Sequence, residues 1–99
     1  MYIVREVVNC KPGQAARMVD RFKAVSTVMR EMGFEPFRVL SDVAGGPFWT
    51  VVAETTVEKT DDFFAMERKL MSNEAVRKAL AGYHDVVTGG RREIYRLES

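Results

Sequence analysis

The densest run of β-branched and aromatic residues in the chain is Phe48–Val57, and its alternate positions divide into two faces. Trp49, Val51, Ala53, Thr55 and Val57 make an almost wholly apolar face suited to meet helices. Phe48, Thr50, Val52, Glu54 and Thr56 make a mixed face, still too apolar to meet water alone. The spacing predicts a central strand covered on both sides. Tyr2–Cys10, rich in Val and Ile, predicts another, with Tyr2, Val4, Glu6, Val8 and Cys10 opposing Ile3, Arg5, Val7 and Asn9. Lys11-Pro12-Gly13 ends that strand and allows a helix to start with proline at its first position.

A helical period follows, with Ala15, Met18, Val19, Phe22, Val25, Met29 and Met32 on one side and Arg17, Asp20, Arg21, Lys23 and Arg30 on the other. Gly33 stands where a helix C-terminal cap belongs, and Glu35-Pro36 leads into a short strand over Phe37–Asp42. Ala44-Gly45-Gly46-Pro47 then makes a hairpin-like link into the central strand. Thr60 is the expected N-cap of a second helix, with Asp61 and Asp62 in the first turn, where the helix dipole favours negative charge. Phe63, Phe64, Met66, Leu70 and Met71 form its apolar face; Ser72-Asn73 breaks it, and a further helical piece runs over Glu74–Tyr83. Gly89-Gly90 reads as a turn before a last strand over Arg91–Leu97.

The order βαββαβ, with right-handed crossovers, predicts an α+β, ferredoxin-like fold. In it a four-stranded antiparallel sheet, with the first and third strands central, carries both helices on one face. The other face would be left wet in a monomer, and a second copy of the same sheet is the economical cover. A homodimer is therefore expected.

Composition narrows the function classes. Ninety-nine residues suit a single domain spanning 1–99, with about two-thirds of its unfolded surface buried and little surplus core. A net charge of +1 gives no field for nucleic acid or a membrane surface. The lone Cys10 excludes an internal disulfide and a multi-cysteine metal site, no apolar run approaches the roughly 18 residues of a membrane span, and Arg5 and Glu6 interrupt the N-terminal apolar stretch. These features predict a cytoplasmic protein with no nucleic-acid or membrane partner.

Candidate chemistry is sparse. His84 alone changes charge near neutral pH; it follows Gly82-Tyr83 at a helix end, where it serves either to satisfy helix carbonyls or as a general base toward a substrate hydroxyl in a cleft. Glu6 shares a strand face with Tyr2, Val4 and Val8, the side assigned to the helices, where a carboxylate needs a partner. That partner is an arginine such as Arg38 or Arg92, or else Glu6 orients His84; with the faces reversed, Arg5 and Asn9 take its place. Trp49 is a core or interface residue or the wall of a pocket for a planar ligand. The methionines read as adaptable core packing and Cys10 as a small buried hydrophobe. No nucleophile triad or metal-ligand spacing stands out, so no metal and no cofactor is expected.

Lys11-Pro12-Gly13, the amphipathic helix after it, the Asp61-Asp62-Phe63-Phe64 start, the Ser72-Asn73 break and the closing Arg92-Glu93-Ile94-Tyr95 together resemble the dimeric α/β-barrel superfamily. The resemblance is to its NIPSNAP-like and antibiotic-biosynthesis-monooxygenase-like domains, and it covers nearly the whole chain. It implies two sheets paired into a barrel and a small hydrophobic or aromatic ligand between each sheet and its own helices. If the protein is an enzyme, the resemblance implies a cofactor-independent, monooxygenase-like reaction with His84 as base beside Glu6, and with Trp49, Tyr83, Tyr2, Phe64 and Met71 against the ligand. The rival implication is a non-catalytic ligand-binding or structural dimer. In the haem-degrading branch an asparagine stands where Glu6 is, and a tryptophan lies on the second helix; Phe63–Met71 has none, and His84 falls too late.

Overall fold

The computed structural model describes all of Met1–Ser99. The chain forms β1 (Tyr2–Cys10), α1 (Ala15–Glu31), β2 (Arg38–Ser41), β3 (Thr50–Val57), α2 (Thr60–Met71), α3 (Glu74–Leu80), a 3-10 turn over Tyr83–Asp85, and β4 (Val87–Arg96). The strands build one antiparallel sheet in the order β2-β3-β1-β4, the ferredoxin-like arrangement with β1 and β3 central. The expected second helix is present as two pieces.

Period-two alternation decides which side of the sheet is covered. Val4 and Cys10 of β1, and Val51 and Ala53 of β3, pack among Met18, Phe22, Val25 and Met29 of α1 and Phe63, Met66 and Leu70 of α2. The Val51–Ala53–Thr55 side therefore meets the helices as expected, and Glu6 shares that side. The molecule is only 17 Å through its thinnest dimension, about two layers.

The open face is organised by charge. Glu54 stands opposite Arg5 on β1 and opposite Arg38 on β2. It is 7% exposed; Arg5 Nε donates to its Oε1 at 2.6 Å and Arg38 Nη2 to its Oε2. Arg5 also lies over the Tyr95 ring, 5.3 Å from its centroid. The Arg5 hydrogen bond, followed by that of Arg38, holds the Glu54 carboxyl below the usual carboxylate range.

Helix ends follow local chemistry. Met32 caps α1; Gly33, at φ +84°, donates to Arg30 O and Phe34 donates to Met29 O, a Schellman closure that folds Phe34 back onto the core. Asn73 Oδ1 accepts from the Val76 amide at 3.2 Å and so starts α3.

Six local features differ from expectation. Pro12 and Gly13 lie in a turn before α1, whose N-cap is Gln14. Lys59, not Thr60, caps α2, and Asp62 Oδ2 accepts from the Lys59 amide. The short second strand is limited to Arg38–Ser41, and the piece after Asn73 stops at Leu80 because Gly82 turns left-handed. Phe48 and Trp49 precede β3 rather than open it, because Trp49 has φ +62°. Contacts on either side fix that unfavourable conformation: Trp49 O accepts from the Cys10 amide at 2.8 Å, and Thr50 is held by Pro47 O and Asp42 Oδ1. Finally, Gly89-Gly90 is not a turn but the interior of β4, paired with Asn9 and Val8.

A Cβ on Gly90 would come within 2.5 Å of Val7 O, a backbone atom that cannot swing aside. Gly90→Ala is expected to lower unfolding free energy by about 1–3 kcal/mol in urea titrations; an unchanged midpoint would contradict this reading of β4. For Glu54, whose folded-state pKa is depressed, the stabilising contribution is present above the ordinary carboxylate pKa and is lost as pH falls through the folded value. Glu54→Gln should accordingly flatten the decline in stability between neutral pH and about pH 3; parallel curves for the two proteins would rule this out.

Candidate functional site

The buried side chains separate into two clusters. Phe63, Met66, Leu70 and Val76 gather with Val4, Val25 and Met29; Met18, Phe22 and Val86 gather with Cys10, Val51 and Ala53. Phe37 and Leu80 touch both. Along the seam lies a cavity of about 260 Å³, and 12 of its 15 lining residues are hydrophobic. Met18, Phe22 and Val25 come from α1, Phe63, Met66 and Leu70 from α2, and Val8 and Val87 from the sheet. Wide side chains on α1 and α2 meet small or β-branched ones on the strands, leaving a slot between layers.

The three remaining lining residues are Glu6, Glu67 and Arg92. Register places Arg92 of β4 directly opposite Glu6 of β1. Arg92 Nε donates to Glu6 Oε1 and Nη2 to Glu67 Oε2, with Nη1 3.5 Å from Glu67 Oε1. Its guanidinium carbon also lies 4.9 Å from the Phe63 ring centroid. One cation therefore ties α2 to both strands at the edge of the cavity. Burial pushes the Glu6 carboxyl above the usual range, against the lowering effect of the Arg92 hydrogen bond. Burial opposes the charged form of Arg92, but the hydrogen bonds it donates to Glu6 and Glu67 outweigh that effect and hold it further toward its charged form.

Of the residues singled out in the sequence, the structure brings Glu6, Tyr83 and Met71 to the cavity. His84 is placed differently from the expected cleft-facing base. Its exposed ring stacks on Tyr83 at 4.1 Å and 34° and is not part of the lining, because the 3-10 turn projects the two consecutive side chains differently. Nor does it contact Glu6, whose partner is Arg92. Phe64 lies beside Phe63 but outside the lining, since consecutive helical positions point about 100° apart. Tyr2 is on the correct strand face, yet too far along β1 to line the cavity. Trp49 instead borders a separate cleft with Phe48, Ala15 and Val19.

Sequence reasoning missed Glu67 and gave Arg92 only a structural part. A signal for Glu67 was present: it stands four residues after Phe63 and four before Met71, within the apolar stripe of α2. No group of three or more His, Cys, Asp or Glu side chains converges in the arrangement a metal ion would need, and no helix is long and apolar enough to cross a membrane.

No protein-family model matches the sequence, and no curated protein matches it. Solved structures do match the fold. An uncharacterized NIPSNAP-like domain protein from Burkholderia xenovorans aligns with a TM-score of 0.81 at 12% identity, over 99% of this chain and 85% of that one. A NIPSNAP family protein of unknown function from Agrobacterium tumefaciens aligns with a TM-score of 0.81 at 13% identity, over 98% and 87%. A protein described as an antibiotic biosynthesis monooxygenase, from Nitrosomonas europaea, aligns with a TM-score of 0.73 at 14% identity over 100% of both chains. The expected likeness to NIPSNAP-like and monooxygenase-like domains is thus found at the level of the fold.

The two glutamates facing opposite sides of the sheet should titrate oppositely. In carboxyl-carbon NMR titrations the Glu6 midpoint is expected above the ordinary glutamate range and the Glu54 midpoint below it. Arg92→Met should move Glu6 further up while leaving Glu54 in place; a Glu6 midpoint that falls would refute the assignment of Arg92 as its partner.

Proposed function

We propose that the protein binds one small hydrophobic or aromatic molecule in the cavity between helices and sheet, as a homodimer paired through the open sheet face. The observation that carries the binding reading is the unfilled apolar slot with its polar groups gathered in Glu6, Arg92 and Glu67. A few polar groups within an apolar lining are the usual make-up of a small-molecule site. The volume of about 260 Å³ exceeds the roughly 150 Å³ that accommodates benzene in an engineered cavity, and it lies at the small end for ligand pockets. One or two rings suit it.

Pairing of two copies is supported by the open face. Leu40 and Tyr95 remain about half exposed there, around the Arg38–Glu54–Arg5 ion pairs, on a molecule two layers thick. Charges already neutralised within one copy can be covered at lower desolvation cost than isolated ones.

A second reading, proton abstraction from the bound molecule, draws on Glu6. A carboxyl raised by burial is closer to the pKa that general-base work near neutrality requires. Proton abstraction is the opening step of the cofactor-independent oxygenation implied by the resemblance, and the Nitrosomonas neighbour carries a monooxygenase description. In this geometry Glu6, rather than the outward-lying His84, is the base.

Thermal shift and ligand-observed NMR with single-ring probes test the binding reading. Binding is expected in the native protein, with at least a tenfold weaker Kd in Val87→Phe, which places a phenyl group in the slot, and no change in His84→Ala. Equal affinity in native protein and Val87→Phe would locate the ligand elsewhere. Light scattering should give twice the 11.3 kDa of one chain at micromolar concentration; a monomer would defeat the pairing proposal.

A further inference from the structure

The polar edge of the cavity contains two carboxylates and one guanidinium. Arg92 has its Nε and Nη2 committed to Glu6 and Glu67, its Nη1 against Glu67, and the Phe63 ring beside the guanidinium plane. Glu6 Oε1 takes the Arg92 bond, while Oε2 accepts no hydrogen bond from the chain. What the cluster offers an incoming molecule is therefore an acceptor and a surplus negative charge, not a free cation. An ionised carboxylate or phosphate entering here would face net repulsion in a partly desolvated site. A hydroxyl or protonated amine can donate to Glu6 Oε2, which no group of the chain occupies and whose side chain is about a quarter exposed.

Resting on the cavity reading above, we infer that the site selects molecules with an apolar ring and a hydrogen-bond-donor head, an alcohol or amine, and rejects carboxylates of the same size. The ring lies against Phe22, Val25 and Leu70, and the head points to Glu6 Oε2. Glu67 acts through Arg92: by occupying the guanidinium it keeps that group from serving as an anion site.

Four probes sharing one ring separate this inference from the reading it rests on: toluene, benzyl alcohol, benzylamine and benzoate, titrated at neutral pH into the full chain by NMR. Benzyl alcohol and benzylamine are expected to bind at least fivefold more tightly than toluene, and benzoate at least fivefold more weakly than toluene. Glu6→Gln should abolish most of the preference for benzylamine over toluene. Glu67→Gln, which frees part of Arg92 and removes one negative charge, should strengthen benzoate at least fivefold. It serves as the independent arm if Glu6→Gln fails to fold. If toluene binds but the donors do no better, or benzoate matches benzylamine, the inference is overturned and the cavity reading stands. If no probe binds, both are overturned.

Discussion

The whole molecule depends on one register, that of β1 against its two neighbours. Each central strand carries one glutamate, and pairing puts each directly opposite an arginine: Glu54 faces Arg5, and Glu6 faces Arg92. The two pairs lie on opposite sides of the same sheet. A slip of one residue would exchange the faces, sending Val4 and Cys10 to water and Arg5 into the helices. Apolar burial and charge pairing thus specify the same alignment. Neither pair is deeply enclosed on both partners, so each adds modestly to stability and more to specificity.

The cavity follows from how the helices are held. α1 lies along the sheet over both core clusters, and α3 packs closely on α1. α2 reaches the sheet through β3 on one side and through Arg92 on the other, and the slot lies beneath it. Arg92, Glu6 and Glu67 are each about a quarter to a third exposed, a range in which ion pairs contribute on the order of 0–1 kcal/mol. Contacts of that strength are a small part of what holds α2 to the sheet.

Most of the fold was legible because its signals are local and periodic. The alternation in Phe48–Val57 identified the covered face, the spacing of Met18, Phe22, Val25 and Met29 gave α1, and Asn73 marked the helix break. Local reading failed where pairing overrides propensity. Gly89-Gly90 looks like punctuation, but Gly90 is needed because its strand passes against Val7 O, a requirement set by residues more than eighty positions away. Trp49 looks like strand and is turned left-handed by hydrogen bonds from distant residues. The site was legible in part for the same reason: Glu6 stood out as a carboxylate on an apolar face, whereas the role of Arg92 depends on the β1–β4 register, which no local pattern encodes. His84 drew attention by its chemistry alone, and chemistry without an address misplaced it.

The pairing of β4 with β1 also governs the sequence of events in folding. β3 and β2 can form their hairpin early, since short separations close at low entropic cost. β1 then waits for β4, which lies more than seventy residues further along, and Leu97 donates to Met1 O. During synthesis one edge of β1 stays unpaired until β4 has been made, and both Glu6 and the underside of α2 remain without Arg92 until then. Slow, late closure of this kind favours capture by chaperones and edge-to-edge association of nascent chains. The arginine that completes the cavity thus takes its place only after the other three strands are available.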